Sequence, residues 1–175
     1  YIGNLTDTSS FDLSKKVATI YTQILTDQKE TLKAVGSLDL NEKNIDLAVR
    51  LEESKLTVLE PILSNLVSNL NGNISADLTV TGNLEKPVIN GDISFDEGQM
   101  TVNYLKTTYI INDEVQVNNT IINLDELVLN DLDGNEAVAT GTVNLNDINN
   151  PDIQAELVAT NFMALNTTSK DNPVY

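Results

Sequence analysis

The run Gly72-Asn73-Ile74-Ser75-Ala76-Asp77-Leu78-Thr79-Val80-Thr81-Gly82-Asn83-Leu84-Glu85-Lys86-Pro87-Val88-Ile89-Asn90-Gly91-Asp92-Ile93 decides how the chain is read. Ile74, Ala76, Leu78 and Val80 alternate with polar residues. Successive residues of a strand point to opposite faces, so this pattern makes one apolar and one polar face. Gly82-Asn83 and Lys86-Pro87 then supply turn chemistry before a second strand begins.

The same alternation extends in both directions. Leu38 and Leu40 lead, through a turn near Asn41, to Ile45, Leu47, Val49 and Leu51. Downstream come Ile93 and Phe95 before Gly98, then Met100 and Val102 after it. Leu127 and Leu129, the series Ala137 to Leu145, and Ile153 to Ala159 follow. Asn71-Gly72, Asn90-Gly91, Glu97-Gly98, Asp133-Gly134-Asn135 and Asn149-Asn150-Pro151 mark further turns or bulges. The chain therefore reads as all-β: a meander, sandwich or solenoid.

Two regions differ. Leu59, Ile62, Leu63, Leu66, Val67 and Leu70 have the spacing of an amphipathic helix. Thr57 and Glu60 are placed as a capping box, Pro61 falls in the first turn, and Asn71-Gly72 is a stop. This predicts one helix over 57–70, packed on one end of the sheet. Residues 1–36 are less definite: Val17 to Ile24 favours strand, with a turn at Asp27-Gln28-Lys29.

Composition excludes much chemistry. The chain has 175 residues, with 10 Lys+Arg against 26 Asp+Glu, a net charge of -16, and no His, Cys or Trp. The common zinc, copper and haem ligands are missing. So are Cys nucleophiles and the His of a Ser-His-Asp triad. No cofactor and no metal are expected. Excess negative charge disfavours nucleic acid and anionic headgroups. No stretch reaches the ~18–20 apolar residues that span a bilayer. The chain opens at Tyr1, without Met or a leader. It reads as a fragment of a longer protein.

The remaining motifs are weak. Asp131-Leu132-Asp133-Gly134-Asn135-Glu136 is the densest acidic cluster, but its Gly and the residue at the twelfth position, Thr142, do not fit a calcium loop. It reads as a hairpin turn. The acids otherwise alternate with apolar residues, as on a solvated face, and no catalysis is expected. Acceptor tripeptides begin at Asn4, Asn73, Asn118 and Asn166, which so Asn-rich a chain produces by chance.

In its order of glycine, alternating strand, glycine, spacer, proline and glycine, the run Gly72–Ile93 resembles the TamB family. Phe95 to Val102 is similar to that family's strand–glycine–strand step. Asn130 to Ala137 with Gly141 resembles its D-x-x-G-N…G segment. Asn161 to Thr168 and Asp171 to Tyr175 resemble the close of such a block in Bacteroidetes-type homologues. The resemblance covers 37–175 as one unit, with 1–36 unassigned. It implies an elongated open β-trough, the β-taco of AsmA-like proteins. It also implies a periplasm-spanning protein anchored in the inner membrane of a Gram-negative bacterium. The implied role is outer-membrane biogenesis by phospholipid transport. Implied partners are phospholipid acyl chains and, through the full-length protein, a TamA/BamA-like outer-membrane barrel.

The trough reading nominates a lining of Leu78, Val80, Ile93, Phe95, Met100, Val102, Leu127, Leu129, Val143, Leu145, Ile153 and Leu157. An ordinary closed core would use the same residues. Three competing functions stay open: a scaffold for outer-membrane protein (autotransporter) assembly, a secreted β-rich adhesin and, last, an enzyme. Exposed sheet edges would also permit edge-to-edge self-association.

Overall fold

A computed structural model describes residues 4–148 and 150–167. Twelve strands run in chain order: β1 (Asn4–Asp7), β2 (Ser10–Asp12), β3 (Val17–Thr26), β4 (Lys29–Asp39), β5 (Asn44–Lys55), β6 (Val67–Asn83), β7 (Lys86–Val102), β8 (Thr107–Ile111), β9 (Glu114–Asn118), β10 (Ile121–Asn130), β11 (Glu136–Asn144) and β12 (Asp152–Ala159). All belong to one sheet, in the order β1-β3-β4-β5-β6-β7-β8-β10-β11-β12. β2 completes the edge beside β1 by pairing with β3, and β9 fills the space between β7 and β10. Every pairing is antiparallel. The connections dictate this, because they are too short for the crossover that parallel strands need.

Local chemistry sets each turn. Asp27 and Gln28 both take positive φ, 52° and 69°, as the two-residue hairpin between β3 and β4 requires. Residues 17–36, only loosely readable beforehand, are thus ordinary members of the sheet. Asp39 Oδ1 accepts from the backbone N–H of Asn41 and Glu42 to turn β4 into β5. Lys15 and Lys16 lie in the turn between β2 and β3.

The pairing sorts side chains onto two faces. Thr6, Gln23, Lys33, Arg50, Asp77, Asp92, Gln116, Asn123, Thr142 and Gln154 stand opposite one another in a continuous polar row. One residue along each strand, on the other face, runs Ala34, Val49, Leu78, Gly91, Val117, Ile122, Val143 and Ile153. Directly opposed residues share a face, so this row is apolar on one side from β4 to β12, while Thr22 and Asp7 continue it on β3 and β1.

Maintaining that division over long strands takes bulges. Glu52–Glu53 stand opposite Ser75, Asn69–Leu70 opposite Met100, Glu97–Gly98 opposite Gly72, and Asp125–Glu126 opposite Thr140. Each extra residue shifts the alternation by one. The apolar positions thus pass from Leu51 to Ser54, from Phe95 to Gly98, and from Leu124 to Leu127 without changing face. Glu53, Glu97 and Glu126 take left-handed φ of 45°, 49° and 55° to do so. Freed backbone groups are recaptured: Glu53 N–H donates to Ser75 Oγ, and Glu97 N–H to Asn112 Oδ1. Gly72 must be glycine, since a Cβ there would lie 2.0 Å from the Glu97 carbonyl oxygen.

Two expectations need correction. The helix predicted over 57–70 is a 3-10 turn at Leu56–Leu59 followed by α1 at Glu60–Leu63. Thr57 makes no capping bond, and from Val67 the chain is already β6, paired with β7 at Val102. Sheet pairing over 67–70 outweighs the helical spacing, and Asn69 at φ 53° reconciles the two patterns. Asn90-Gly91, read as a turn or bulge, lies within regular pairing of β7, which like β6 runs 17 residues.

Apolar packing is densest near the bulges. Leu51, Leu56, Leu70, Ile74 and Ala76 form one buried cluster, and Ile111, Val115, Leu127 and Ala139 form another. Ile93, Phe95 and Met100 touch both.

The bulge account predicts a contrast between Glu126 and Val128. Glu126→Gly should leave stability within about 1 kcal/mol, because glycine takes the left-handed backbone freely but also loosens the unfolded chain. Deleting Val128, which stands in regular pairing next to that bulge, should cost about 2–5 kcal/mol, since nothing absorbs the shift and Leu129 is turned off the apolar face. Chemical denaturation of the two variants measures both.

Candidate functional site

The apolar face is the candidate site. The register brings most of the nominated lining together. Leu78 joins Val143 and Ile153 along one row. Val80 faces Ile89, Ile93 faces Ala76 and Val115, and Phe95 faces Ile74. Met100 faces Tyr109, and Val102 faces Val67 and Thr107. Leu127 and Leu157 both face Ala139, while Leu129 faces Ala137 and Ile111. Leu145 lies beyond the end of β11, where its N–H donates to the Thr120 carbonyl.

Exposure grades this set. Leu127 is buried, while Ile153 and Leu157 at the β12 edge are 62% and 41% exposed. The other nine are half-buried. Such intermediate exposure, repeated across neighbouring strands, marks a face that its own side chains crowd but no second sheet covers: all described strands belong to the one sheet.

Sequence reasoning missed part of the row. Val117 and Ile122 complete it between β7 and β11. The signal was present in the alternation of Val115 with Val117 and of Ile122 with Leu124, but β9 is only five residues long and meets β10 at an Asn119-Thr120 turn, and the Asp125–Glu126 bulge breaks the alternation of β10. Ala34 and Val49 extend the row toward β3.

One end of the face is covered. The helical turn at 56–63 packs Leu56, Val58 and Leu59 onto the first cluster. A cavity of about 200 Å³ opens beside it, lined by Ile24, Leu32 and Val58 together with Thr26, Thr31, Thr57 and Lys55. Near β8, the segment 161–167 folds back. Phe162 stacks on Tyr109 at 5.4 Å, the Tyr109 hydroxyl donates to the Ala164 carbonyl, and Asn166 N–H donates to the Leu105 carbonyl. Burial holds the Tyr109 hydroxyl above its usual pKa.

Asp131 ties this segment to the sheet. The cluster read as a hairpin turn is one, joining β10 to β11. Asp131 is only 2% exposed. Its carboxylate accepts from the Asn135 side-chain amide and from the backbone N–H groups of Asp133, Asn135 and Met163. The Asn135 amide above all, with these backbone donors, holds the Asp131 carboxyl below the usual carboxylate range, against the opposing effect of burial. The acceptor tripeptide at Asn73 lies within β6, where that side chain bonds Lys55 and Asp96.

A depressed folded-state pKa contributes stability above about pH 4 and loses it as pH falls through the folded value. Asp131→Ala should therefore expose the amides of 161–166 to faster hydrogen exchange at neutral pH. The wild-type protein should show the same loosening only in acid.

Comparison with known proteins adds the family. Residues 22–126 match the family model of the TamB C-terminal domain. The match starts within β3, ahead of the resemblance drawn from Ser37, and stops before the 130–137 and 161–175 tracts also quoted for it; of the latter, 168–175 lie outside the described residues. No curated protein and no solved structure matches the chain. The matched residues are the centre of the meander and include the long β6–β7 pair. The chain belongs to the TamB family, non-enzymatic components of outer-membrane assembly in the Gram-negative envelope that work with TamA-type partners.

Proposed function

We propose that this chain is a non-catalytic segment whose apolar face shields or conducts phospholipid acyl chains on their way to the outer membrane. The observation that supports it is the apolar row running from Ala34 on β4 to Ile153 on β12, half-buried along most of its length, buried at Val117 and exposed at Ile153. The sheet in this reading is an open trough. Its closed end lies under the helical turn and the 161–167 segment. The longer protein, anchored in the inner membrane and crossing the periplasm, would align many such segments and deliver cargo near a TamA/BamA-like barrel.

Energetics suit this role. Each methylene removed from water is worth about 0.8 kcal/mol, so about ten lying one-sided on such a face gain on the order of 4 kcal/mol. That is enough to retain a chain and weak enough to let it slide. Such contact needs a continuous apolar surface and no particular functional group, in keeping with a chain that lacks His and Cys. The excess of acids on the opposite side keeps a protein with such a face in solution.

Site-specific photocrosslinking tests the proposal. A photoreactive residue at Val80, Ile89 or Val143 should capture phospholipid in envelope preparations, and one at Thr79 or Thr142 on the other face should not. Equal capture from both faces, or capture of polypeptide alone, would count against it. For a functional block, Val143→Arg is the better choice than Leu129→Arg, because Leu129 packs on the buried cluster around Leu127 whereas Val143 lies outside both clusters. Val143→Arg should abolish lipid capture at Val80 and Ile89 while the far-ultraviolet circular dichroism stays that of the parent.

A further inference from the structure

The chain contains two Asn-Gly dipeptides, Asn71-Gly72 and Asn90-Gly91. In a flexible peptide both share one chemical weakness. The glycine amide nitrogen can attack the preceding side-chain amide, because no Cβ hinders it or restricts its backbone. The fold treats the two sites differently.

Asn71-Gly72 lies where the ladders of β6 lapse. Asn71 pairs with Gln99 and Asn73 with Asp96, while Gly72 between them stands against the two-residue bulge Glu97–Gly98. On the other side, pairing with β5 ends at Asn73 and Lys55. Asn71 is exposed, and Gly72 has a φ of 85°. The Gly72 N–H turns onto Asn71 Oδ1, with the nitrogen 2.9 Å from that oxygen. The carbon to be attacked, Asn71 Cγ, is bonded to the same oxygen, and ring closure asks for reacting atoms about 3–3.5 Å apart. The Asn71 side-chain nitrogen, the leaving group, has no hydrogen-bond partner among the described residues.

Asn90-Gly91 is held on both sides. Gly91 pairs with Leu78 of β6 and with Val117 of β9. Asn90 is half-buried, and its Oδ1 accepts from the Asn119 backbone N–H at 2.7 Å, which fixes this side chain on the turn between β9 and β10.

We propose that Asn71 is a site of spontaneous deamidation and isoaspartate formation in the folded protein, and that Asn90 is protected. Hydroxide removes the Gly72 amide proton, and the nitrogen bonds to Asn71 Cγ. The side-chain nitrogen takes up a proton and leaves as ammonia, which closes a succinimide ring. Water then adds to either ring carbonyl and breaks its bond to the Gly72 nitrogen, giving aspartate or isoaspartate. No oxidant or enzyme is needed. The architecture retains the reactive glycine, since a Cβ at position 72 would lie 2.0 Å from the Glu97 carbonyl oxygen.

The isoaspartate product routes the main chain through the former side chain and so adds a methylene to β6. That insertion falls next to buried Leu70, in the cluster under the helical turn. It should loosen the pairing of Val67 and Ser68 with Val102 and Thr101. The modification thus unfastens the covered end of the apolar face, and it does so whether or not acyl chains bind.

Peptide mass mapping of the purified chain, held folded at mildly alkaline pH, tests the proposal. Electron-transfer fragmentation distinguishes isoaspartate from aspartate. Product should accumulate several-fold faster at Asn71 than at Asn90, and the two rates should converge in denaturant. Equal rates in the folded protein, or a faster rate at Asn90, would overturn the assignment. So would an Asn71 that stays intact while folded and converts only in denaturant. Amide hydrogen exchange over 67–70 should be faster in the isoaspartate form and unchanged in Asn71→Asp, which adds the charge without the methylene. Faster exchange in both, or in neither, would contradict the loosening.

Discussion

Everything in this fold depends on keeping the apolar residues of successive strand pairings on one face. Side-chain direction in a strand alternates with period two, so a single uncompensated insertion sends all later residues to the wrong side. The four bulges absorb such insertions. Three of them place a glutamate in a left-handed conformation that glycine usually occupies, with the side chain left in solvent. The strain is local, and the gain is that Leu127, Met100 and Ser54 remain on the same side as Leu124, Phe95 and Leu51.

The division of faces also explains the composition. A long polar row of Asp, Asn, Gln and Thr meets water on one side, and aliphatic residues fill the other. Nothing in that arrangement asks for histidine, cysteine or a buried charge. The buried carboxylate of Asp131 serves the architecture, joining a turn to the returning 161–167 segment. The residues that match the TamB family, 22–126, form the centre of this two-faced sheet.

Much of this was legible from residue order. The period-two runs located β4 to β7, β10, β11 and β12, and the Asp131–Asn135 turn was read from its own residues. The alternation in 17–24 gave β3, though weakly. Other features could not be read because two patterns overlapped. Residues 59–70 carry helical spacing, yet their second half pairs with β7, and only the partner strand reveals which pattern prevails. The bulges at Glu53 and Glu126 have no glycine to announce them. Val117 and Ile122 sit in strands whose length depends on the neighbours they fit between. Of the candidate lining, the faces were readable, whereas the grading from buried Leu127 to exposed Ile153 follows from position in the sheet.

The most direct test of the central claim, an apolar face open to acyl chains, is native mass spectrometry of the purified chain with lipid extraction of the same sample. The account predicts phospholipid or detergent adducts that leave only on denaturation. It also predicts an adduct-free protein that binds a hydrophobic dye displaceable by phospholipid. A bare protein mass with no dye binding would mean that the apolar side chains are closed on themselves, and would contradict it.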